Sequence, residues 1–124
     1  MHLASGDYSW DGVYADDVIA QKDEFDYGKV IEINVETRVA KQISKGHRNT
    51  QGIAIDRLGD LWTVEHGHRG GDELNRIVEG ADYGWPSVTL GTRYSGLPLP
   101  GVTANIHRRF CLVTVNCDFE PKAD

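Results

Sequence analysis

The sequence predicts an all-β fold, and three observations carry that prediction. Fourteen glycines are spread over the 124 residues, and they fall between short apolar runs. Because glycine reaches the backbone conformations that tight turns need, this spacing is typical of strands joined by turns. The runs recur at intervals of roughly ten residues, and only a weak helical period near residues 16–23 interrupts them. These features favour a sandwich, a barrel or a propeller.

The first predicted hairpin lies in the N-terminal half of the chain. Residues 29–35 alternate apolar and polar side chains and are rich in β-branched residues, which predicts a strand. Residues 38–43 alternate in the same way. Glu36 and Thr37 are the expected link between the two strands.

A second hairpin is predicted over residues 53–64. It consists of a short strand over 52–55, a turn over 57–60 and a returning strand over 61–64. Another alternating run follows at 73–78. The second hairpin matters most for function, because the two ends of a hairpin must lie side by side.

The C-terminal stretch has a different character. Residues 110–115 are apolar and strand-like, but nothing after residue 100 repeats the earlier pattern. We therefore predict one β-domain over residues 1–100 and a divergent tail over 101–124.

Composition limits the function classes. Thirteen basic and 19 acidic residues give a net charge of -6, which makes the chain a poor candidate for binding nucleic acid or an anionic membrane. No run of about 18 apolar residues occurs, so no membrane-spanning helix is expected. Residues 1–20 hold four aspartates and no apolar core segment, so no signal peptide is expected in this stretch. The two cysteines cannot form a disulfide framework, and the compartment stays open.

Two clusters of polar and glycine residues flank the second hairpin, one at 46–52 and one at 65–75. We expect the hairpin to bring both clusters to one rim of a sheet. The side chains that would meet there are Arg48, Asn49, Gln51, His66, His68 and Asp72.

Such a group suits a planar, anionic small molecule with a metal beside it. Arg48 offers a fork of donors that matches a carboxylate, and Gly67, Gly70 and Gly71 leave backbone groups open to a ligand or a hard cation. In the alternative, Arg48 pairs with Glu65 or Asp72 and the glycines only make turns.

Two histidines lie two positions apart in the second cluster. On an extended segment, His66 and His68 would project to the same side, where they could hold a transition metal. A structural zinc needs four ligands, and the cysteines lie far downstream, so a zinc pair is disfavoured. A polar contact between His66 and a ligand is the better interpretation.

Four separated motifs together resemble the glucose/sorbosone dehydrogenase family. They are Gly-His-Arg-Asn-Thr-Gln-Gly at 46–52, Glu-His-Gly at 65–67, Gly-Asp-Glu-Leu-Asn at 71–75 and Asp-Tyr-Gly-Trp-Pro at 82–86. Members are soluble quinoproteins that oxidise aldoses with pyrroloquinoline quinone (PQQ) and calcium. The resemblance implies a six-bladed β-propeller, of which 124 residues would supply about two to three blades.

The resemblance also implies roles for individual residues. Arg48 and Asn49 match the pair that contacts the quinone and the sugar. The main-chain carbonyls of Gly67 and His68 match ligands of the calcium beside the quinone. The implied cofactor-binding residues are Arg48, Asn49, Gln51, His66 and Asp72, and the implied calcium residues are Gly67, His68, Glu73 and Tyr83.

Three positions depart from the family pattern. Thr50 replaces a proline after Arg-Asn, His68 replaces another proline, and Asp82 replaces an asparagine. None of these changes removes a side-chain ligand.

The implied reaction is the removal of a hydride from C1 of an aldose, which gives a lactone and reduced quinone. The family's catalytic histidine would lie upstream of Gly6 and Asp7, so we expect this chain to be inactive alone. The alternative is a non-enzymatic propeller segment that binds calcium or another ligand. Relatives are commonly periplasmic or exported, and unpaired strand edges would favour a homo-oligomer.

Overall fold

The computed structural model describes residues 1–10 and 18–96, and this part of the chain is all-β, as predicted. Residues 110–115, the tail over 101–124 and the division into domains lie wholly or partly outside the described residues and stay predictions. In chain order, the described elements are β1 (His2–Ser5), a three-residue 3-10 helix (Ile19–Gln21), β2 (Lys29–Ile33), β3 (Ala40–Lys45), β4 (Thr50–Ile55), β5 (Leu61–Glu65), β6 (Glu73–Arg76) and β7 (Ala81–Asp82). No helix in these two stretches is long and apolar enough to cross a membrane.

The first sheet has the order β1-β2-β3-β7. Its β2–β3 pair is the first predicted hairpin, but the connection is longer than predicted, since Ile33 pairs with Ala40. The side chain of Asn34 explains this, because its Oδ1 accepts hydrogen bonds from the main-chain N–H groups of Glu36 and Thr37, each at 3.0 Å. Arg38 then turns the chain with a φ of 59°.

The second sheet has the order β4-β5-β6, and its β4–β5 pair is the second predicted hairpin. Asp56 closes the turn: its Oδ1 accepts from the N–H groups of Leu58 and Asp60, and its Oδ2 accepts from Trp62 Nε1 at 3.0 Å. The Trp62 bond, followed by the backbone bonds, holds the pKa of Asp56 below its usual value. At the open end of this hairpin, Thr50 pairs directly with Glu65.

Strands β1 and β7 were not predicted. The segment His2–Ser5 contains no β-branched residue, and β7 has only two residues, so neither gives a clear periodic signal. The buried core joins the two sheets through Val30, Ile43 and Leu61.

Lys29, at the start of β2, is completely buried. Its ammonium group donates to the carbonyl oxygens of Ile19, Ala20 and Tyr27 at 3.1, 3.0 and 2.9 Å. Three donors therefore meet three acceptors, and the side chain fastens the segment before β2 to the first sheet. Burial is the main cause of a lowered pKa for Lys29.

Replacing Lys29 with methionine should destabilise the fold by about 3 kcal/mol, because three carbonyl groups lose their donor in a buried place. Urea unfolding measures this loss. Lys45→Met is the matched control: Lys45 contacts the exposed carboxylate of Asp23, so its loss should cost less than about 1 kcal/mol. Equal losses in the two variants would contradict the role given to Lys29.

Candidate functional site

The rim where β4 begins and β5 ends brings the two polar clusters together. The main-chain N–H of His66 donates to the carbonyl oxygen of Asn49 at 3.0 Å, just beyond the Thr50–Glu65 pair. The predicted meeting of the loop from Gly46 with the loop that follows Glu65 is therefore confirmed.

Arg48 reaches across this rim. Its Nη1 donates to the carbonyl oxygens of His66, at 2.9 Å, and Gly67, at 2.5 Å. Its guanidinium carbon lies 5.4 Å from the ring centre of Trp85, a cation–π distance. Arg48 forms no ion pair with Glu65 or Asp72 among the described residues, so the alternative that paired it with one of them is wrong.

Asn49 and Gln51 lie on the exposed side of the same rim. Gln51 Nε2 donates to Asn49 Oδ1 at 2.6 Å, so the two amides orient each other. Asn49 also lies beside the backbone of Gly6, since a Cβ at Gly6 would lie 3.8 Å from Asn49 Oδ1. These two predicted residues thus adjoin Arg48 without facing the same pocket.

The turn after β5 separates the two histidines. The side chain of His66 is 60% exposed and lies 3.6 Å from Asp72 Oδ2, whereas His68 is only 3% exposed and packs edge-on against Trp85 and Tyr94. The expectation that they project to one side is therefore wrong, because the strand ends at Glu65 and the chain turns.

Glycines make this turn possible by letting backbone touch backbone. A Cβ at Gly67 would lie 2.1 Å from the carbonyl oxygen of Gly70, and one at Gly91 would lie 2.6 Å from the same oxygen. A Cβ at Gly71 would lie 2.8 Å from the nitrogen of Gly91. The loop is closed at Gly67 N, which donates to Asp72 Oδ1 at 2.9 Å.

Two carboxylates face each other beneath the rim. Glu65 and Glu73 are paired across β5 and β6, and Glu65 is 6% exposed. Burial, together with the charge of Glu65, raises the pKa of Glu73 to about 7, although Asn75 donates to it. A buried carboxylate pair is electrostatically costly unless a proton or a cation is shared.

Tyr83 packs close to this pair, but its hydroxyl group is already engaged. It donates to the carbonyl oxygen of Arg76 and accepts from the N–H of Val78 at 3.0 Å. Burial raises the pKa of Tyr83, so the phenol stays neutral. Any ligand role for Tyr83 would therefore use its main-chain oxygen.

A small pocket with an enclosed volume of about 10 Å³ lies beside Arg48. It gathers five of the nine predicted site residues, while Asn49, Gln51, His68 and Asp72 lie outside its lining. Trp85, Val88 and Thr89 were not predicted, and only Trp85 had a signal, since it belongs to the motif at 82–86. The lining residues are Arg48, Glu65, His66, Gly67, Gly71, Glu73, Tyr83, Trp85, Val88 and Thr89.

The oxygen atoms at this site suit a hard cation better than a transition metal. Calcium prefers carboxylate and carbonyl oxygens, and the pocket is lined by the two carboxylate residues Glu65 and Glu73 and by Gly67. The Gly67 carbonyl already accepts from Arg48, but a carbonyl has a second lone pair. Within residues 1–10 and 18–96, no three His, Cys, Asp or Glu side chains converge as a ready metal cluster.

The strands and the rim thus make this an all-β protein with a cationic side chain and several carbonyl oxygens at one edge of a sheet. Residues 3–108 match the glucose/sorbosone dehydrogenase family, so the chain belongs to it. It is 47% identical over 64 residues to aldose sugar dehydrogenase YliI of Escherichia coli, a match that covers 51% of this chain and 17% of that protein.

Two solved structures share its fold. The apo aldose sugar dehydrogenase of E. coli is 30% identical with a TM-score of 0.72, over 82% of this chain and 31% of that one. The PQQ-bound aldose sugar dehydrogenase of Streptomyces coelicolor is 28% identical with a TM-score of 0.62, over 78% of this chain and 30% of that one. The predicted partial β-propeller is thus confirmed, and the chain spans less than a third of each of these relatives.

Glu73→Gln should flatten the pH dependence of stability in the presence of a chelator. With a folded pKa of about 7 and an ordinary value of 4.5, the folded protein binds more protons between these pH values. The free energy of unfolding should therefore fall as pH rises through this window, by up to about 3 kcal/mol. The glutamine side chain cannot titrate and keeps a donor towards Glu65. Urea unfolding at several pH values measures the slope.

Glu36→Gln is the matched control for this experiment, since Glu36 lies exposed in the β2–β3 connection. Its slope should equal that of the unmodified chain. An unchanged slope in Glu73→Gln would show that the carboxylate pair does not set the pH response.

Proposed function

We propose that this chain forms part of the site of a PQQ-dependent aldose dehydrogenase. The observation that carries the proposal is the position of Arg48, which is held by two consecutive carbonyl groups and lies over Trp85 at the mouth of the pocket. The PQQ-bound relative from S. coelicolor supports the choice of cofactor. The reaction takes a hydride from C1 of an aldose and a proton from its hydroxyl group, and yields a lactone.

The residues of this chain would bind PQQ and orient it. Only Nη1 of Arg48 is engaged among the described residues, so Nη2 and Nε remain to bind a carboxylate or a quinone oxygen. Asn49, the next residue, lies outside the pocket lining, and its amide nitrogen would contact only a part of the ligand that extends past Arg48. When bound, PQQ supplies the two-electron acceptor.

Calcium would be held by the oxygens of the second cluster. We propose Gly67 and His68, through main-chain carbonyls, for a calcium beside the quinone, and Glu73 with Tyr83 for a structural calcium. The buried Glu65–Glu73 pair supports the second of these sites, because a cation would relieve the repulsion between two carboxylates.

The pocket is too small to be the whole site. Its enclosed volume is about 10 Å³, room for roughly one water molecule, whereas small-molecule pockets begin at roughly 300 Å³. We therefore propose that this chain alone has no dehydrogenase turnover. Dye reduction with aldoses, PQQ and calcium tests this statement, and robust turnover by the 124-residue chain would overturn it.

Arg48→Gln should weaken PQQ binding by about 10- to 100-fold, because a charged hydrogen bond contributes roughly 1.5–3 kcal/mol. Equilibrium dialysis with PQQ and calcium measures the affinity. Arg57→Gln is the control, since Arg57 is exposed in the β4–β5 turn at the far end of the hairpin. Unchanged affinity in Arg48→Gln, or no PQQ binding by the unmodified chain, would contradict the proposal.

A second candidate is a calcium-binding segment without quinone chemistry, and the Glu65–Glu73 pair is the observation in its favour. Calcium should raise the free energy of unfolding at pH 8, and Glu73→Gln should lose that response while Glu36→Gln keeps it. Calorimetry with calcium and with PQQ separates the candidates. Calcium binding without PQQ binding would favour the second, and no response to calcium would exclude it.

A further inference from the structure

His47 is a completely buried polar residue next to Arg48, and it has no role in the proposed reaction. Its ring is 0% exposed and stacks on Tyr83, with ring centres 4.6 Å apart. Its Nε2 lies 2.8 Å from Ser44 Oγ and its Nδ1 lies 3.3 Å from Glu65 Oε2. Ser44 belongs to the first sheet and Glu65 to the second, so the imidazole joins the two sheets.

The proton positions follow from the partners. Glu65 Oε2 accepts a hydrogen bond from Thr50 Oγ1 and acts as an acceptor here, so Nδ1 carries the hydrogen that is donated to it. In the neutral ring, Nε2 then accepts from the hydroxyl group of Ser44. Each of the two ring nitrogens has one partner.

A serine, a histidine and a carboxylate in this order also make up a hydrolytic triad, but burial argues against that role here. Ser44 is 4% exposed and His47 is 0% exposed, so no substrate carbonyl could reach the hydroxyl group. The arrangement holds parts of the molecule in place.

The His47 contacts hold residues 47–49 in register with residues 65–67. Three consecutive residues on one side contact three consecutive residues on the other: His47 contacts Glu65 through side chains, Arg48 donates to the carbonyls of His66 and Gly67, and Asn49 accepts from the N–H of His66. The His47–Glu65 contact is the buried member of this series, and the same Glu65 Oε2 also accepts from Thr50 Oγ1 at 3.1 Å. A shift there would move the carbonyls away from Arg48.

We propose that His47 is a positioning residue, which sets the place of Arg48 through its Nδ1 contact with Glu65. The proposal rests on the proposed function in that Arg48 is taken to bind PQQ. The contact with Ser44 contributes stability and does not place Arg48.

Two substitutions at one position separate these contacts. His47→Asn keeps an amide donor near the place of Nδ1 and loses the bond to Ser44, whereas His47→Gln reaches towards Ser44 and loses the donor to Glu65. Ser44→Ala is the matched control, because it removes the other hydrogen bond of the same ring. Should His47→Gln not fold, His47→Phe keeps the ring and its stacking and removes both nitrogens.

The first measurement is PQQ affinity by equilibrium dialysis. His47→Gln should weaken binding by about tenfold, as the loss of a residue that orients a ligand-binding group does, while His47→Asn and Ser44→Ala keep most of the affinity. In an Arg48→Gln background, His47→Gln should cause no further loss. Equal effects of His47→Gln and Ser44→Ala, or additive losses with Arg48→Gln, would overturn the proposal.

The second measurement needs no cofactor and so survives a failure of the proposed function. The indole N–H resonance of Trp85 reports on the guanidinium above its ring. His47→Gln should move this resonance as Arg48→Gln does, and Ser44→Ala should leave it in place. An unmoved resonance in His47→Gln would refute the positioning role whether or not PQQ binds.

Discussion

The contact between the guanidinium group of Arg48 and the carbonyl oxygens of His66 and Gly67 is the interaction on which the site depends. It joins the loop that precedes β4 to the loop that follows β5. A cationic donor across a rim of carbonyls is a charge-assisted hydrogen bond, stronger than the neutral bonds of the sheet beside it. Because Trp85 lies below the guanidinium group, the arginine is confined from two directions.

Several polar side chains are buried near this contact, at positions where apolar side chains are more usual. Among residues 1–10 and 18–96, the apolar core is centred on Val30, Ile43 and Leu61. Around it, Lys29 and His47 are fully buried, and both find hydrogen-bond partners on neighbouring segments. A buried polar group destabilises the fold when it has no hydrogen-bond partner, and its hydrogen bonds have a preferred direction. Lys29 and His47 therefore determine how neighbouring segments are positioned, which apolar contacts alone do not. The geometry of the rim depends on these buried hydrogen bonds.

Much of this organisation could be predicted, and what was missed has a physical reason. Alternating side chains and turn glycines indicated the two hairpins, and the hairpin geometry brought Arg48 to Gly67. The strand His2–Ser5 was missed because its pattern is weak and its pairing with β2 is decided over a long sequence separation. The burial of His47 and the pairing of Glu65 with Glu73 could not be predicted, because a polar residue satisfied by distant partners leaves no periodic signal.

The interlocked glycines of the loop after β5 have a consequence for how this loop can vary. Positions 67, 71 and 91 touch backbone on the side that a side chain would need, and Gly70 has open space around it but a φ of 85° that strains any other residue. Sequence drift and directed libraries are thus confined to the outward positions His66 and Arg69. The backbone of the loop and its carbonyl groups therefore stay in place while the exposed side chains change. Related proteins can in this way bind different ligands with the same loop conformation.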